Sequence, residues 1–368
     1  MFGKRKVFLI MEHIRSNKIP FNIDGSYRVL VFQTWGIGDL IMATPIISAL
    51  KTFPQVEKLF VAVGGETQKR LLISEIPEKD ILIFPCSTSV VETYWKRLIF
   101  FRSLKRRKID VAFVGTLHNR KSGFALKYFS NIKFVVGDSF PPKPMGYTHW
   151  QEFKRFFHRV EGSEQLVKLF FPNFAKGKMI LGVDKNVRAS SLEYISSFSK
   201  DLTNFGVHPG SGKLQKNKRV PPSKLIQILK AMLDNFPIRL FLFFGPEDMG
   251  IFSIFKDEFQ HNLRVIFVQE KDIAKVAGII SQLKGFIASD SGLGHLAAAL
   301  QIPVITIAGP TDFLATRPWG KNSQIILSEE KIICRPCYYK DSVPQSAVCL
   351  ESIKTSQILD MVSSLIKC

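Results

Sequence analysis

The stretch Ile287-Ala-Ser-Asp-Ser-Gly-Leu-Gly-His-Leu-Ala-Ala-Ala-Leu300, followed by Pro303-Val-Ile-Thr-Ile-Ala-Gly-Pro-Thr-Asp312, decides how the chain reads. A short apolar run over 285–288 ends as a strand. Residues 289–292 then make a polar turn, with Asp290 and Ser291 as capping candidates. His295 to Leu300 opens an Ala/Leu helix, and Val304 to Ala308 is the next strand, closed by Gly309 and Pro310. A small-residue turn between a strand and a helix leaves backbone N–H groups unpaired at the positive end of the helix dipole. That is a seat for an anion such as a phosphate. The alternative is an ordinary strand-to-helix turn whose glycines supply only backbone freedom.

The same alternation runs outward from this stretch. Strands are expected at Tyr27–Phe32 and at 59–63, 81–84, 111–114 and 133–136; after a weakly patterned bridge over 172–202 they resume at 204–208, 239–244 and 264–268. Helical patterns lie between them, including a very basic one from Tyr94 to Lys108, one over 150–160, and one at 223–235 that starts after Pro221 and Pro222. Strands alternating with helices imply parallel sheets, here two Rossmann-like domains facing a cleft. The expected division is a basic lead-in at 1–26, one Rossmann-like domain at 27–185, a second at 186–350 and a C-terminal helix at 351–368. Polar turns fall at 33–39, 208–212, 245–248, 289–295 and 309–312, all at the carboxyl ends of strands, where such folds bind ligands.

Composition narrows the class. The 368 residues are 46% hydrophobic and 22% charged, which suits a chain with a real core, and the net charge is +20. A basic surface favours anionic partners: nucleic acid, lipid head groups or a phosphorylated acceptor. No apolar run is long enough for a spanning helix, and the apolar run in the lead-in is too short for a signal peptide, so a cytoplasmic protein is expected. Around the lead-in's Val7, Ile10, Met11 and Ile14 lie Lys4, Arg5, Lys6, Arg15 and Lys18, a pattern that fits an anionic membrane surface or a helix packed on the first domain. Five cysteines in such a chain argue against a disulfide framework.

Several turns carry chemistry. Gln33-Thr-Trp-Gly-Ile-Gly-Asp39 places two glycines and a carboxylate at a strand-to-helix turn. Gly36 and Gly38 permit close approach of a ligand. Asp39 at the helix start stays ionised and can accept a proton from a hydroxyl, or it simply caps its helix. His208-Pro-Gly-Ser-Gly212, followed by Lys213, Lys216, Lys218 and Arg219, pairs a glycine turn with positive charge, which suits a leaving diphosphate or a solvated basic loop. Glu247 suits the hydroxyls of a ribose or the start of a helix, and His295 either contacts phosphate or packs to orient its turn. Cys334, Cys337, Cys349 and Cys368 suit a tetrahedral thiolate site for zinc or iron, the alternative being reduced thiols.

The stretches at 29–51 (VLVFQTWGIGDLIMATPIISALK), 206–222 (GVHPGSGKLQKNKRVPP), 243–249 (FFGPEDM) and 289–312, with CRPC at 334–337, resemble glycosyltransferase family 9 in order and spacing. These are the ADP-heptose enzymes of lipopolysaccharide synthesis and their relatives that glycosylate autotransporter proteins. The resemblance implies a GT-B fold, with acceptor recognition in the domain at 27–185 and nucleotide-sugar binding in the domain at 186–350, and an inverting transfer without a catalytic cofactor. It implies Asp39 as general base and Lys218 as the lysine that stabilises the leaving phosphate. Ser211 and Gly212 match phosphate contacts and Glu247 a ribose-binding acid. Asp290, Ser291 and Gly292 match the donor-binding turn that continues through Leu293, Gly294 and His295, and Thr311 lies close by. Trp35 stands where the family carries small residues, and Val220 where it carries a tryptophan after the lysine motif. The expected donor is ADP-heptose. The expected acceptor is a lipopolysaccharide core sugar or, alternatively, a serine of an autotransporter adhesin, with peripheral contact to the anionic inner membrane and no nucleic-acid partner. A non-catalytic nucleotide-sugar or polyanion-binding protein is the reading outside enzymes.

Overall fold

In a computed structural model, the structure describes residues 25–87, 89–115, 120–139, 145–152, 157–212, 216–329, 332, 335–337 and 348–367. Two compact units divide the chain. The first holds Met1–Trp35 and Met42–Ile180, and the second holds Gly36–Ile41 and Leu181–Cys368. The basic lead-in, apart from residues 25 and 26, lies outside the described residues.

The first unit carries six strands: β1 (Tyr27–Phe32), β2 (Val56–Val63), β3 (Ile81–Ile83), β4 (Val111–Val114), β5 (Phe134–Ser139) and β6 (His149–Glu152). They form one sheet in the order β3-β2-β1-β4-β5-β6, with every pair parallel. Runs such as YRVLVF and VAFV are apolar on both faces because helices cover both sides of a parallel sheet. Leu30, Phe32, Phe60, Ala112 and Val135 meet in its core, along with Phe101 and Leu104 from the helix α1 (Val90–Leu104).

The second unit repeats the plan with β7 (Thr203–His208), β8 (Ile238–Phe243), β9 (Val265–Val268), β10 (Gly285–Ser289), β11 (Val304–Ile307) and β12 (Ser323–Ile326), in the order β12-β11-β10-β7-β8-β9 and again all parallel. Counted from its first strand, each sheet has the doubly wound order 3-2-1-4-5-6, whose direction of winding reverses between the first and fourth strands. In the second sheet this switch point lies between β7 and β10, where Ala288 is in register with His208. The helix α2 (Pro222–Asn235) begins on a proline, whose missing N–H costs nothing there, and buries Leu225, Ile228, Leu229, Met232 and Leu233 against this sheet's core. The terminal helix Thr355–Lys367 adds Ile358 and Val362 to the same core.

One reading of the sequence is corrected, and two elements go beyond it. Residues 150–160 are not one helix: His149–Glu152 is the edge strand β6, paired with β5, and the helix begins at Arg159 behind an N-cap at His158. The weakly patterned bridge contains a helix, Lys185–Ser196, started by Asp184, which accepts from the Asn186 N–H at 2.7 Å. Strand β12 was not anticipated.

Candidate functional site

The turns that follow β7, β8, β10 and β11 are tied together by buried polar side chains. His208, the last residue of β7, is the hub: its Nδ1 lies 2.8 Å from Ser291 Oγ and its Nε2 lies 3.2 Å from Asp248 Oδ2. A neutral imidazole that donates from Nε2 to the carboxylate accepts the Ser291 hydroxyl proton at Nδ1, which fixes its tautomer. Asp248 also accepts the Gly245 N–H at 3.0 Å and Arg219 Nη2 at 2.9 Å. Burial opposes the charge of Asp248, but the His208 contact, the Gly245 N–H and the Arg219 guanidinium together hold its carboxyl below the ordinary range. Gly210 is required beside it, since a Cβ there would fall 2.0 Å from Asp248 Oδ1. Arg219 completes the frame, donating to Ser211 Oγ at 3.1 Å and to the carbonyls of Ser211 and Glu247 at 3.2 Å each.

A second cluster surrounds Asp290. Lys218 Nζ donates to its Oδ2 at 3.1 Å, and the Thr316 hydroxyl approaches the same oxygen at 3.1 Å. His295 Nε2 stands 3.5 Å from Oδ1. Burial again opposes the charge, but the Lys218 ammonium and the His295 ring outweigh it and the carboxyl is held well below its usual value.

Between these clusters begins the helix α3 (Gly292–Ala299). Ser291 occupies its N-cap position yet makes no capping hydrogen bond; its hydroxyl is turned to His208. Asp290, the other capping candidate, belongs to Lys218 and Thr316. Among the described residues no side chain caps the first turn of α3, whose N–H groups stand at the positive end of the dipole and at the switch point of the sheet.

The turn carrying Asp39 meets this helix start. Gly36–Ile41 belongs with the second unit. A Cβ on Gly38 would lie 2.7 Å from His295 Cδ2, and one on Gly292 would lie 3.2 Å from Ile37 Cβ. Asp39 sits half-buried in the first turn of the helix Ile37–Leu50, beside the exposed Gly36.

The other expected residues fall as follows. Ser211 is buried on Arg219, Gly212 is open, and the Glu247 side chain is exposed while its carbonyl is held. Leu293 is half-buried and Gly294 buried. Thr311 is buried, and its Oγ1 has no hydrogen-bond partner among the described residues. Cys337 and Cys349 are buried, and the Cys337 N–H donates to the Pro310 carbonyl at 2.8 Å; Cys334 and Cys368 lie outside the described residues. Among the described residues no helix is long and apolar enough to cross a membrane. Sequence reasoning placed His208 and Arg219 in the glycine turn and its basic flank without giving either an individual role, and it gave no role to Asp248 or Thr316. The signal for His208 was its place at a strand end, directly before a glycine turn.

Comparison with known proteins bears on the family and the fold. The family described as glycosyltransferase family 9 (heptosyltransferase) matches residues 152–346, more than half of the chain. The chain is 24% identical to lipooligosaccharide heptosyltransferase 2 of Campylobacter jejuni over 91% of this chain and 96% of that one. Its fold is that of a family 9 glycosyl transferase from Veillonella parvula (TM-score 0.75, 15% identity, 95% of this chain and 98% of that one). It is also that of ADP-heptose LPS heptosyltransferase II from Escherichia coli (TM-score 0.69, 19% identity, 92% and 98%).

Proposed function

The chain belongs to glycosyltransferase family 9 and is a glycosyltransferase of the GT-B fold, and on that basis we propose that it moves a heptose from ADP-heptose to a hydroxyl of a lipopolysaccharide core sugar. The acceptor oxygen attacks the anomeric carbon from the face opposite the diphosphate. The carbon–oxygen bond to ADP breaks, the configuration inverts, and Asp39 takes the hydroxyl proton. The diphosphate rests on the first turn of α3, with Ser211, Gly212 and Thr311 around it and Lys218 offsetting the charge that develops on the leaving oxygen. Glu247, exposed beside its clamped carbonyl, accepts from the ribose hydroxyls. The reaction runs on the cytoplasmic side of the membrane.

The observation that best supports this reading is the approach of Gly38 to His295, which sets the turn bearing the proposed base against the proposed diphosphate seat. The test is mass-spectrometric transfer from ADP-heptose to a heptose-deficient lipopolysaccharide acceptor, alongside a thermal-shift panel of ADP-, UDP- and GDP-sugars. Stabilisation by ADP-sugars with transfer to the acceptor is expected. Stabilisation by UDP- or GDP-sugars instead would sink the donor assignment, and transfer only to an adhesin peptide would sink the acceptor. We also propose that Cys334, Cys337, Cys349 and Cys368 hold a structural zinc or iron; the burial of Cys337 and Cys349 supports it.

A further inference from the structure

Helix α1 of the first unit carries an exposed face. Its inner side is anchored by Phe101 and Leu104 in the core, and Arg97 turns inward, its guanidinium 4.7 Å from the centre of the Phe84 ring and its Nε donating to the Pro85 carbonyl. On the outer side Val91, Trp95 and Ile99 follow at four-residue steps and so stack along one stripe, 67%, 57% and 65% exposed. Val90 and Tyr94 flank it and are also exposed. Soluble surfaces seldom leave such a contiguous row of large apolar side chains uncovered. Arg102 continues the stripe, and exposed Lys105, Arg106 and Lys108 follow at the end of the helix. The helix's acidic residue, Glu92, is held by Lys96 at 2.6 Å.

We propose that α1 docks this protein on an anionic lipid bilayer, with Val91, Trp95 and Ile99 entering the head-group boundary and the basic residues that follow lying against lipid phosphates. An exposed apolar stripe running into a cluster of cations is the pattern of an interfacial helix, in which a tryptophan sits at the head-group level and long basic side chains reach the phosphates. A second copy of this chain is disfavoured because each carries +20. A nucleic acid answers the charge but offers nothing to the aliphatic side chains of Val91 and Ile99. The docking rests on the first unit alone and stands apart from the transfer reaction.

The test is flotation of the full chain with phosphatidylcholine vesicles, with and without phosphatidylglycerol. Binding is expected to the anionic vesicles and to fall as salt is raised. Trp95→Ala with Ile99→Ala is expected to weaken it by about tenfold or more, with an unchanged melting temperature and unchanged donor binding. Should that variant fail to fold, Arg102→Glu with Lys105→Glu replaces it, with the same loss expected. Trp95→Phe is expected to keep binding while losing the quenching of tryptophan fluorescence by brominated acyl chains. No binding of the wild type to anionic vesicles would overturn the proposal. So would retained binding in the double variant, which would move docking to another surface such as the lead-in. Oligonucleotide binding without vesicle binding, or a dimer dissolved by the same substitutions, would overturn it in favour of those partners.

Discussion

Lys218 Nζ stands 3.1 Å from Asp290 Oδ2, with both side chains largely buried and 72 residues apart in sequence. The lysine proposed to stabilise the leaving group is thus held at rest by the carboxylate of the turn proposed to seat the donor. Removing one partner leaves the other as a charge with little solvent to take it up. Lys218→Ala is expected to cost about 3–5 kcal/mol of stability, read by urea unfolding. Loss of less than about 1 kcal/mol would show that the pair behaves as an ordinary surface bridge.

Asp290 also sets an acid limit. Its folded carboxyl is held below the ordinary value, so it stabilises the fold while ionised, above the ordinary carboxylate range, and that contribution disappears as the pH falls through that range toward the folded value. The urea midpoint of the wild type should therefore fall more steeply below about pH 4 than that of Asp290→Asn. Asp248, lowered in the same direction, adds to the fall in both proteins. Parallel curves would take Asp290 out of the acid response.

Asp39→Ala should lower the turnover rate by about 10²–10⁴-fold while ADP binding, measured by calorimetry, stays within a factor of a few. The two readouts separate a base from a donor contact. Wild-type turnover in this variant would remove Asp39 from proton transfer.

His208→Ala leaves Asp248 and Ser291 without their shared partner. The expected cost is about 1–3 kcal/mol in stability, together with weaker ADP binding, because Ser291 is no longer held at the start of α3. If ADP binding is unchanged, the His208 frame supports the fold and not the seat.

Gly38→Ala places a methyl against the His295 ring. We expect about 1–3 kcal/mol of destabilisation and loss of transfer. Gly38→Ala combined with His295→Ala should be less destabilised than the sum of the single variants, since the second change makes room for the first. Strict additivity would mean that the two turns do not press on each other.

Metal content offers a separate check: about one zinc or iron per chain by elemental analysis, lost together with thermal stability in Cys337→Ser. A metal-free wild type purified without chelator would dismiss the thiolate site.

Much of the fold was legible because parallel strands buried on both faces read as short apolar runs between turns. Tyr27–Phe32 and Val111–Val114 fall where the sequence places them. His149–Glu152 was illegible: HWQE has neither alternation nor an apolar run, and its pairing with β5 makes it a strand. Lys185–Ser196 buries only Ser191 and Ile195, and Ser191 packs close to Gly278, a partner far along the chain. In the site, the glycine turns announced themselves, whereas the His208–Asp248–Arg219 frame did not. Its charged members read as solvated side chains until strands from distant parts of the sequence brought them under cover. The choice between Lys216 and Lys218 rested on resemblance; in the structure Lys216 is exposed and Lys218 reaches Asp290.

The uncapped start of α3 has a consequence for following this enzyme in solution. Among the described residues no side chain accepts from the amides of Gly292, Leu293 and Gly294, which should trade their hydrogens for deuterium quickly in the resting protein. A seated diphosphate would accept from them and slow that exchange. The first turn of one short helix thereby becomes a built-in occupancy gauge, readable by mass spectrometry peptide by peptide without labelling the donor.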